Sequence, residues 1–496
     1  MAGDTRSDVD VRTASGVLRG SGTDELLVFR GIPYAEAPVG RLRFQAPRPV
    51  LAWEGVRPAT AYGPPPPQSG LLGSAPDTTG DDWLTLNVWT PDLAGGLPVM
   101  VWIPGGGYAL GNSSLPEYDA AHLVAGGVVV VTVNYRLGIE GFAQLGGAPA
   151  NRGLLDQVAA LRWVRANIRA FGGDPDRVTI FGESAGGGSV AALLAMPSAA
   201  GLFRRAIAQS VPGTFFSAEL AAEIAAALAG QVGVAPTAAA LADVPAAMLP
   251  AVGDAILPEM GRWRERWGPI THRPIPFAPV VDGNVLPVTP WQALAAGAGR
   301  DVDLLAGHTR DEHRLFSLID GVLGQVTHEQ TETALRMLAP DPRRYREAYP
   351  AATDEQLYEL VNADWLFRMP SLHLVEAQVA GGGRAHLYEL TWPAPVLGAC
   401  HGLDVPLVFG NLSSGGPAML IGDPPPAEAF DLSAQFRTAW TAFATHGDPG
   451  WPPYDTAHRR TRLFDVPPAV TTYPEEASRA LWQNHPFVPL EPVAPR

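Results

Sequence analysis

The sequence predicts an α/β protein with a mostly parallel central sheet flanked by helices. Three observations predict it: strand-length apolar runs, helical stripes between them, and a glycine-framed strand–turn–helix around residue 184. The runs lie at residues 97–103 (LPVMVWI), 128–133 (VVVVTV), 178–181 (VTIF), 206–209 (AIAQ), 302–306 (VDLLA) and 385–390 (AHLYEL). They are apolar without alternation, as strands covered on both faces are.

The clearest helix is expected over 154–171. Leu154, Val158, Leu161, Val164 and Ile168 recur at spacings of three and four, which makes one apolar stripe. Gly172-Gly173 and Pro175 stop it. A second helix is expected over 185–195, one tight turn after the VTIF strand. Residues 217–273 are Ala-rich and helical in pattern, and read as a helical cap inserted within a single domain spanning 1–496. Pro64–Pro67 form a polyproline run that leads into a polar surface loop ending near residue 82.

Composition excludes several partners. The chain of 496 residues carries a formal charge of −15, which repels phosphate backbones and anionic membrane surfaces, so neither nucleic acid nor membrane is an expected partner. No stretch reaches the roughly 18 apolar residues of a spanning helix, and residues 1–12 lack a signal-peptide core. Cys400 is the single cysteine, so no intramolecular disulfide forms. A soluble, cytoplasmic protein is expected. Cys400 itself reads as a buried, inert thiol rather than a nucleophile.

Gly182-Glu183-Ser184-Ala185-Gly186 fits G-x-S-x-G. Two readings are open: a nucleophile elbow, or a glycine-rich turn with a capping serine. Its place between a strand and a helix favours the first, because a serine on that strained turn is lifted clear of the sheet and small neighbours keep strand and helix apart. Residues 102–108 (WIPGGGY) follow the 97–103 strand, and three glycines there let backbone N–H groups approach a substrate. Together with the Ala185 N–H next to the nucleophile, this is the material of an oxyanion hole.

These pieces resemble the type-B carboxylesterases, a family that includes cholinesterases and bacterial esterases cleaving nitrobenzyl esters. The likeness runs through RGIPYAEAPVGRLRF (30–44), LNVWTP (86–91), WIPGGGY, NYRLGIEGF (134–142), the stretch 151–187 with its FGESAGG, PVVDG (279–283), GHTRDEHRLF (307–316) and HGLDVPLVFG (401–410). The resemblance implies the α/β-hydrolase fold and the chain order nucleophile, acid, histidine. Periodicity and spacing do not choose among the eleven histidines; the resemblance assigns His401 as base and, from the Asp311-Glu312 pair, Glu312 as acid. Asp311 is left as a loop-orienting or helix-capping carboxylate. Gly106, Gly107 and Ala185 are the implied oxyanion donors, and Ser210 matches a family serine close to the triad. Glu183, inside the elbow, has two readings: a satisfied carboxylate next to the nucleophile, or electrostatic support for protonated His401.

The sequence also departs from the family. Pro66 and Trp83 stand at the two usual cysteine positions, and residues 64–82 hold no aromatic to bind a quaternary ammonium, which argues against a choline ester. Pro104, His313 and Val211 replace the residues usual at those positions. The expected reaction is hydrolysis of a small-molecule carboxylic ester through an acyl-enzyme on Ser184, with no cofactor or metal. The alternatives are a non-catalytic, cholinesterase-like interaction protein, against which all three triad positions weigh, and the same triad acting on amides, carbamates or polyesters.

Overall fold

The computed structural model describes residues 7–23, 25–70, 80–413 and 415–494. Among them, the apolar runs assemble into one large sheet. Its spatial order is Ser7–Arg12, Val17–Gly22, Leu27–Pro33, Thr85–Thr90, Val129–Val133, Leu97–Ile103, Gly173–Glu183, Arg205–Gln209, Asp303–Thr309, Ala385–Leu390, Arg460–Phe464 and Ala469–Thr472, with Val56–Pro58 beside Val17–Gly22. From Val129–Val133 to Arg460–Phe464 every neighbour is parallel. The order closes at both margins with antiparallel strands.

Alternate residues of each central strand enter opposite layers. Val99, Val101, Ile103, Val131 and Ile180 pack in one apolar cluster. Met100, Trp102, Val130, Phe181 and Ile207 pack in another on the far face. This double cover is why the runs lack a polar alternation. The strands at 97–103 and 385–390 and the helix at 185–195 have the expected bounds. The 178–181 run is the end of a longer strand, Gly173–Glu183. The helix expected over 154–171 is Arg152–Asn167 continued as the 3-10 turn Ile168–Phe171. It stops at Gly172, whose φ of +78° is open to glycine and whose Cβ, were there one, would strike the Asp92 carbonyl.

Residues 217–273 form the helices Ala218–Gln231, Ala238–Leu241, Leu249–Ile256 and Arg264–Trp267, with 3-10 turns between. Leu220, Ile224, Leu228 and Ile256 from this stretch join the same cluster as the sheet. Arg43 fastens it further: Nη1 donates to the carbonyls of Ala242 (2.9 Å) and Val244 (2.6 Å), while Nε donates to Glu140 (2.8 Å).

The polyproline run departs from expectation. Pro66 to Ser69 are buried rather than on the surface. A polyproline strand makes no internal hydrogen bonds, so its groups are free to bond elsewhere. Gln68 takes the Gly111 N–H on Oε1 (3.0 Å), and the Ser69 N–H donates to the Ala109 carbonyl (3.0 Å). The stretch therefore braces the glycine loop at 105–111. Residues 71–79 of the expected loop lie outside the described residues. Trp83, at one of the missing cysteine positions, is buried, with its indole N–H donated to the Gly80 carbonyl (2.8 Å). No helix among the described residues is long and apolar enough to cross a membrane.

Beneath the glycine loop, Arg136 and Asp156 form a salt bridge at 2.8 Å with neither side chain exposed. Asp156 also accepts the Arg136 backbone N–H (3.1 Å), and Arg136 reaches the Gln45 carbonyl (2.8 Å). The pair ties the Arg152–Asn167 helix to the loop after Val129–Val133. Removing one member strands a buried charge. We expect Asp156→Ala to lower unfolding free energy by about 3–5 kcal/mol, measured as a shift of the denaturant midpoint.

Candidate active site

Four adjacent parallel strands bring the candidate residues together at their carboxyl ends. Ser184 follows Gly173–Glu183, Ser210 follows Arg205–Gln209, Glu312 follows Asp303–Thr309, and His401 follows Ala385–Leu390. Loops leaving the same edge of a parallel sheet converge, so residues far apart in sequence meet there.

The elbow is built from strain and small neighbours. Ser184 has φ +56° and ψ −124°, a conformation that side chains avoid unless the surroundings impose it. Its N–H donates to the Gln209 carbonyl (3.0 Å), and its own carbonyl accepts the Gly188 N–H (2.8 Å), starting the Ala185–Ala195 helix. A Cβ on Gly182 would meet Gly186, one on Gly186 the Ile103 carbonyl, and one on Gly187 the Gln209 carbonyl. Only glycine lets strand, turn and helix approach this closely.

Facing the elbow is the glycine loop, with Gly106 at φ +113° and Gly107 at φ +59°. The Pro104 carbonyl accepts the Tyr135 hydroxyl (2.6 Å), and the Gly106 carbonyl accepts the N–H groups of Ala109 and Leu110. Pro104 therefore holds the loop through its carbonyl and needs no N–H. Among the described residues, the amides of Gly106, Gly107 and Ala185 donate to no protein group. Three donors left free beside a serine hydroxyl suit an incoming anionic oxygen.

Glu312 and His401 meet through a 2.6 Å hydrogen bond between Oε2 and Nδ1. The other carboxylate oxygen, Oε1, accepts the Ser210 hydroxyl (2.6 Å) and the Thr309 N–H (2.9 Å). Burial opposes the charge on Glu312, yet His401 and these donors win, and its pKa lies below the usual carboxylate value. Asp311 stays out of this cluster. Its Oδ2 accepts the Ala399 N–H (3.0 Å) and pairs with Arg310, which pins the chain just before His401.

On its other side, His401 presents Nε2 to Glu183 Oε1 at 3.2 Å. Among the described residues the Ser184 hydroxyl makes no hydrogen bond in this state. Burial resists a charge on His401, but the carboxylates of Glu183 and Glu312 outweigh it and raise its pKa to about 9. Glu183 is raised to about 8, chiefly by burial, with His401 opposing. The two share one contact and titrate as a pair, so both hold protons to higher pH than free side chains do. Burial likewise raises Asp404, which accepts the Gln209 amide and the Tyr388 hydroxyl at 2.8 Å each.

The two other departures in sequence, His313 and Val211, take ordinary places. His313 is buried against Tyr358 and Phe316 with Nδ1 on the Ser317 hydroxyl (3.1 Å); burial pushes its pKa well down, so it stays neutral beside Glu312. The Val211 N–H donates to the Ser371 hydroxyl (2.9 Å). Cys400 is buried and its thiol is pushed up to about 12, which keeps it unreactive.

The sequence model of the carboxylesterase family matches residues 7–482. The chain belongs to the carboxylesterase family. It is 39% identical to the para-nitrobenzyl esterase of Bacillus subtilis over 95% of this chain and 97% of that one, and 36% identical to the phenmedipham hydrolase of Pseudarthrobacter oxydans over 88% and 90%. A crystal structure of a Geobacillus stearothermophilus carboxylesterase superposes with a TM-score of 0.85 at 37% identity, covering 96% of this chain and all of that one. The sheet with its flanking helices is thus the α/β-hydrolase fold of that family, and the chain is a serine hydrolase of carboxylic esters.

Sequence reasoning missed three groups of this carboxylesterase's site. Asp404 stands in the HGLD stretch, but nothing in a sequence shows that it points to Gln209 and Tyr388. Gln68 was hidden in a loop expected on the surface. Phe367, which packs on the imidazole, comes from a helix that carries no motif.

The Glu183 carboxylate raises His401, so removing its charge must lower the pKa of the imidazole. The family resemblance assigns His401 as the base, and a base works only when neutral. We therefore expect Glu183→Gln to move the acid limb of the kcat/KM profile to lower pH, measured with a nitrophenyl ester. A limb that stays or moves up would contradict the assigned charge.

Proposed function

We propose that this carboxylesterase works through Ser184 as nucleophile, His401 as base and Glu312 as acid. The observation that carries the reading is the 2.6 Å Glu312–His401 bond beside a serine held at φ +56° on the strand–helix turn. The Ser184 proton passes to His401 Nε2 as the hydroxyl oxygen attacks the ester carbonyl. The carbonyl oxygen becomes an anion and takes the N–H groups of Gly106, Gly107 and Ala185. The tetrahedral intermediate then breaks its bond to the alkoxy oxygen, which leaves as the alcohol with the proton from His401. Water, deprotonated by the same imidazole, attacks the acyl-enzyme and releases the acid and the free serine.

In the free enzyme Nε2 faces Glu183, so the ring turns toward Ser184 while Nδ1 keeps its bond to Glu312. Catalytic hydrogen bonds commonly tighten only in the substrate complex. Glu183 and Ser210 act on the base and the acid respectively, without touching substrate. Residues 217–273 serve as a cap over the site within one domain, a reading supported by their helices and their shared core with the sheet. The substrates are small esters, and the nitrobenzyl esterase among the relatives makes esters of benzylic alcohols the class to try first. A cytoplasmic setting fits a chain whose one cysteine is buried and unpaired.

We expect Ser184→Ala to lower turnover of a short-chain nitrophenyl ester by about 10⁴-fold or more. An organophosphate should label the unmodified protein once per chain and leave the variant unlabelled. A variant that keeps a tenth of the activity would refute the assignment.

A further inference from the structure

The His401 imidazole is held at its nitrogens by one hydrogen bond, Nδ1 to Glu312 at 2.6 Å, and by the Nε2 ion-pair contact with Glu183 at 3.2 Å, and contacts at two ring atoms leave a ring free to tip about the line between them. Two phenylalanines meet its remaining surface. The Phe367 ring stacks on the imidazole, with centroids 4.2 Å and planes 26° apart. The Phe316 centroid lies 5.1 Å away at 41°. The two phenyl rings are 5.8 Å from each other. These distances close a triangle, so the phenyls flank the imidazole from one side rather than sandwich it. Phe316 is backed in turn by the Arg273 guanidinium, 4.9 Å from its centroid and paired with Asp320.

Phe367 reaches this position from an uncommon backbone. The helix Asp354–Ala363 passes into Met369–Ala380 through five residues of π-helix, Asp364–Arg368. An inserted residue rotates the following side chains by about 100°, and such turns are rare and frequently sit at functional sites. This one is clamped by charge. Arg368 Nε lies 3.1 Å from Asp364 and Nη2 lies 2.6 Å from Glu475, with the Arg368 and Asp364 side chains 3% and 0% exposed. The Tyr345 and Ser478 hydroxyls donate to Asp364 at 2.8 and 2.5 Å. The Leu366 carbonyl accepts the Gly213 N–H (2.8 Å). Ion pairs this deeply buried seldom add net stability over apolar packing. What they fix here is the shape of one turn, and the side chain that turn presents is Phe367.

We propose that Phe367, with Phe316 at the ring edge, is a positioning residue for the base. The inference rests on His401 being that base. The stacked ring keeps the imidazole from tipping out of line with Glu312, shuts water off one face, and offers its π cloud to the positive charge that appears on the imidazole as Ser184 attacks.

The test compares Phe367→Leu, which removes the ring, with Phe367→Tyr, which keeps it, using nitrophenyl acetate as probe. We expect Phe367→Leu to lower kcat by about 10–100-fold with KM changed by less than about twofold, and Phe367→Tyr to keep at least about a third of wild-type kcat. The downfield proton resonance of His401 Nδ1–H should vanish by solvent exchange in the Leu variant and persist in the Tyr variant. Wild-type kcat in Phe367→Leu would overturn the proposal. So would a raised KM at unchanged kcat, which would make Phe367 a wall of the substrate pocket. Should Phe367→Leu fail to fold, Phe316→Leu carries the same expectation, and an unchanged kcat there overturns it equally. Failure of the triad itself is separately visible, because His401→Ala would then keep its activity however the Phe367 variants behave.

Discussion

A carboxylate with no exposed surface can stay charged only if donors converge on it, and that constraint organises this enzyme. Glu312 is fully buried and takes three donors: the Thr309 N–H, the Ser210 hydroxyl and His401 Nδ1. Each comes from a different strand end or the loop beyond it. The parallel sheet must therefore hold the strands Arg205–Gln209, Asp303–Thr309 and Ala385–Leu390 in that order and register. A slip by one residue would reverse the side chains and leave a buried carboxylate without partners. The double apolar cover of the central strands is what prevents the slip.

The same logic extends outward in shells of decreasing charge. Glu183 and Asp404 are buried carboxylates near the imidazole, and both are raised by that burial. Gln209 connects Asp404 to Trp440, giving its amide to the carboxylate and taking the indole N–H (3.2 Å). Beyond these polar groups lie Trp102, Phe181 and Phe409, with ring centroids within 4.9–5.8 Å of one another. Low polarity around the carboxylates strengthens every interaction inside the shell.

Much of the candidate site is legible in the sequence. Glycines at 182 and 186 announce a close approach of strand and helix, because no other residue fits where a Cβ would meet backbone. The uniform apolar runs marked strands covered on both faces. The marginal strands Ser7–Arg12 and Ala469–Thr472 went unseen, since mostly exposed residues alternate or stay polar and give no such run. His401 and Glu312 were reachable only through resemblance to a family, because a lone histidine among eleven carries no local signature of its role.

By itself, then, the sequence determined the α/β class, the elbow serine and the glycine loop, all of which are encoded in residues adjacent along the chain. Tertiary structure alone decided that Nε2 of His401 faces Glu183, that Gln68 braces the glycine loop, and that a π turn lays Phe367 on the imidazole. Those contacts join residues separated by tens to hundreds of positions. Their geometry depends on strand order, loop packing and burial, which are properties of the whole fold and leave no periodic trace in the chain.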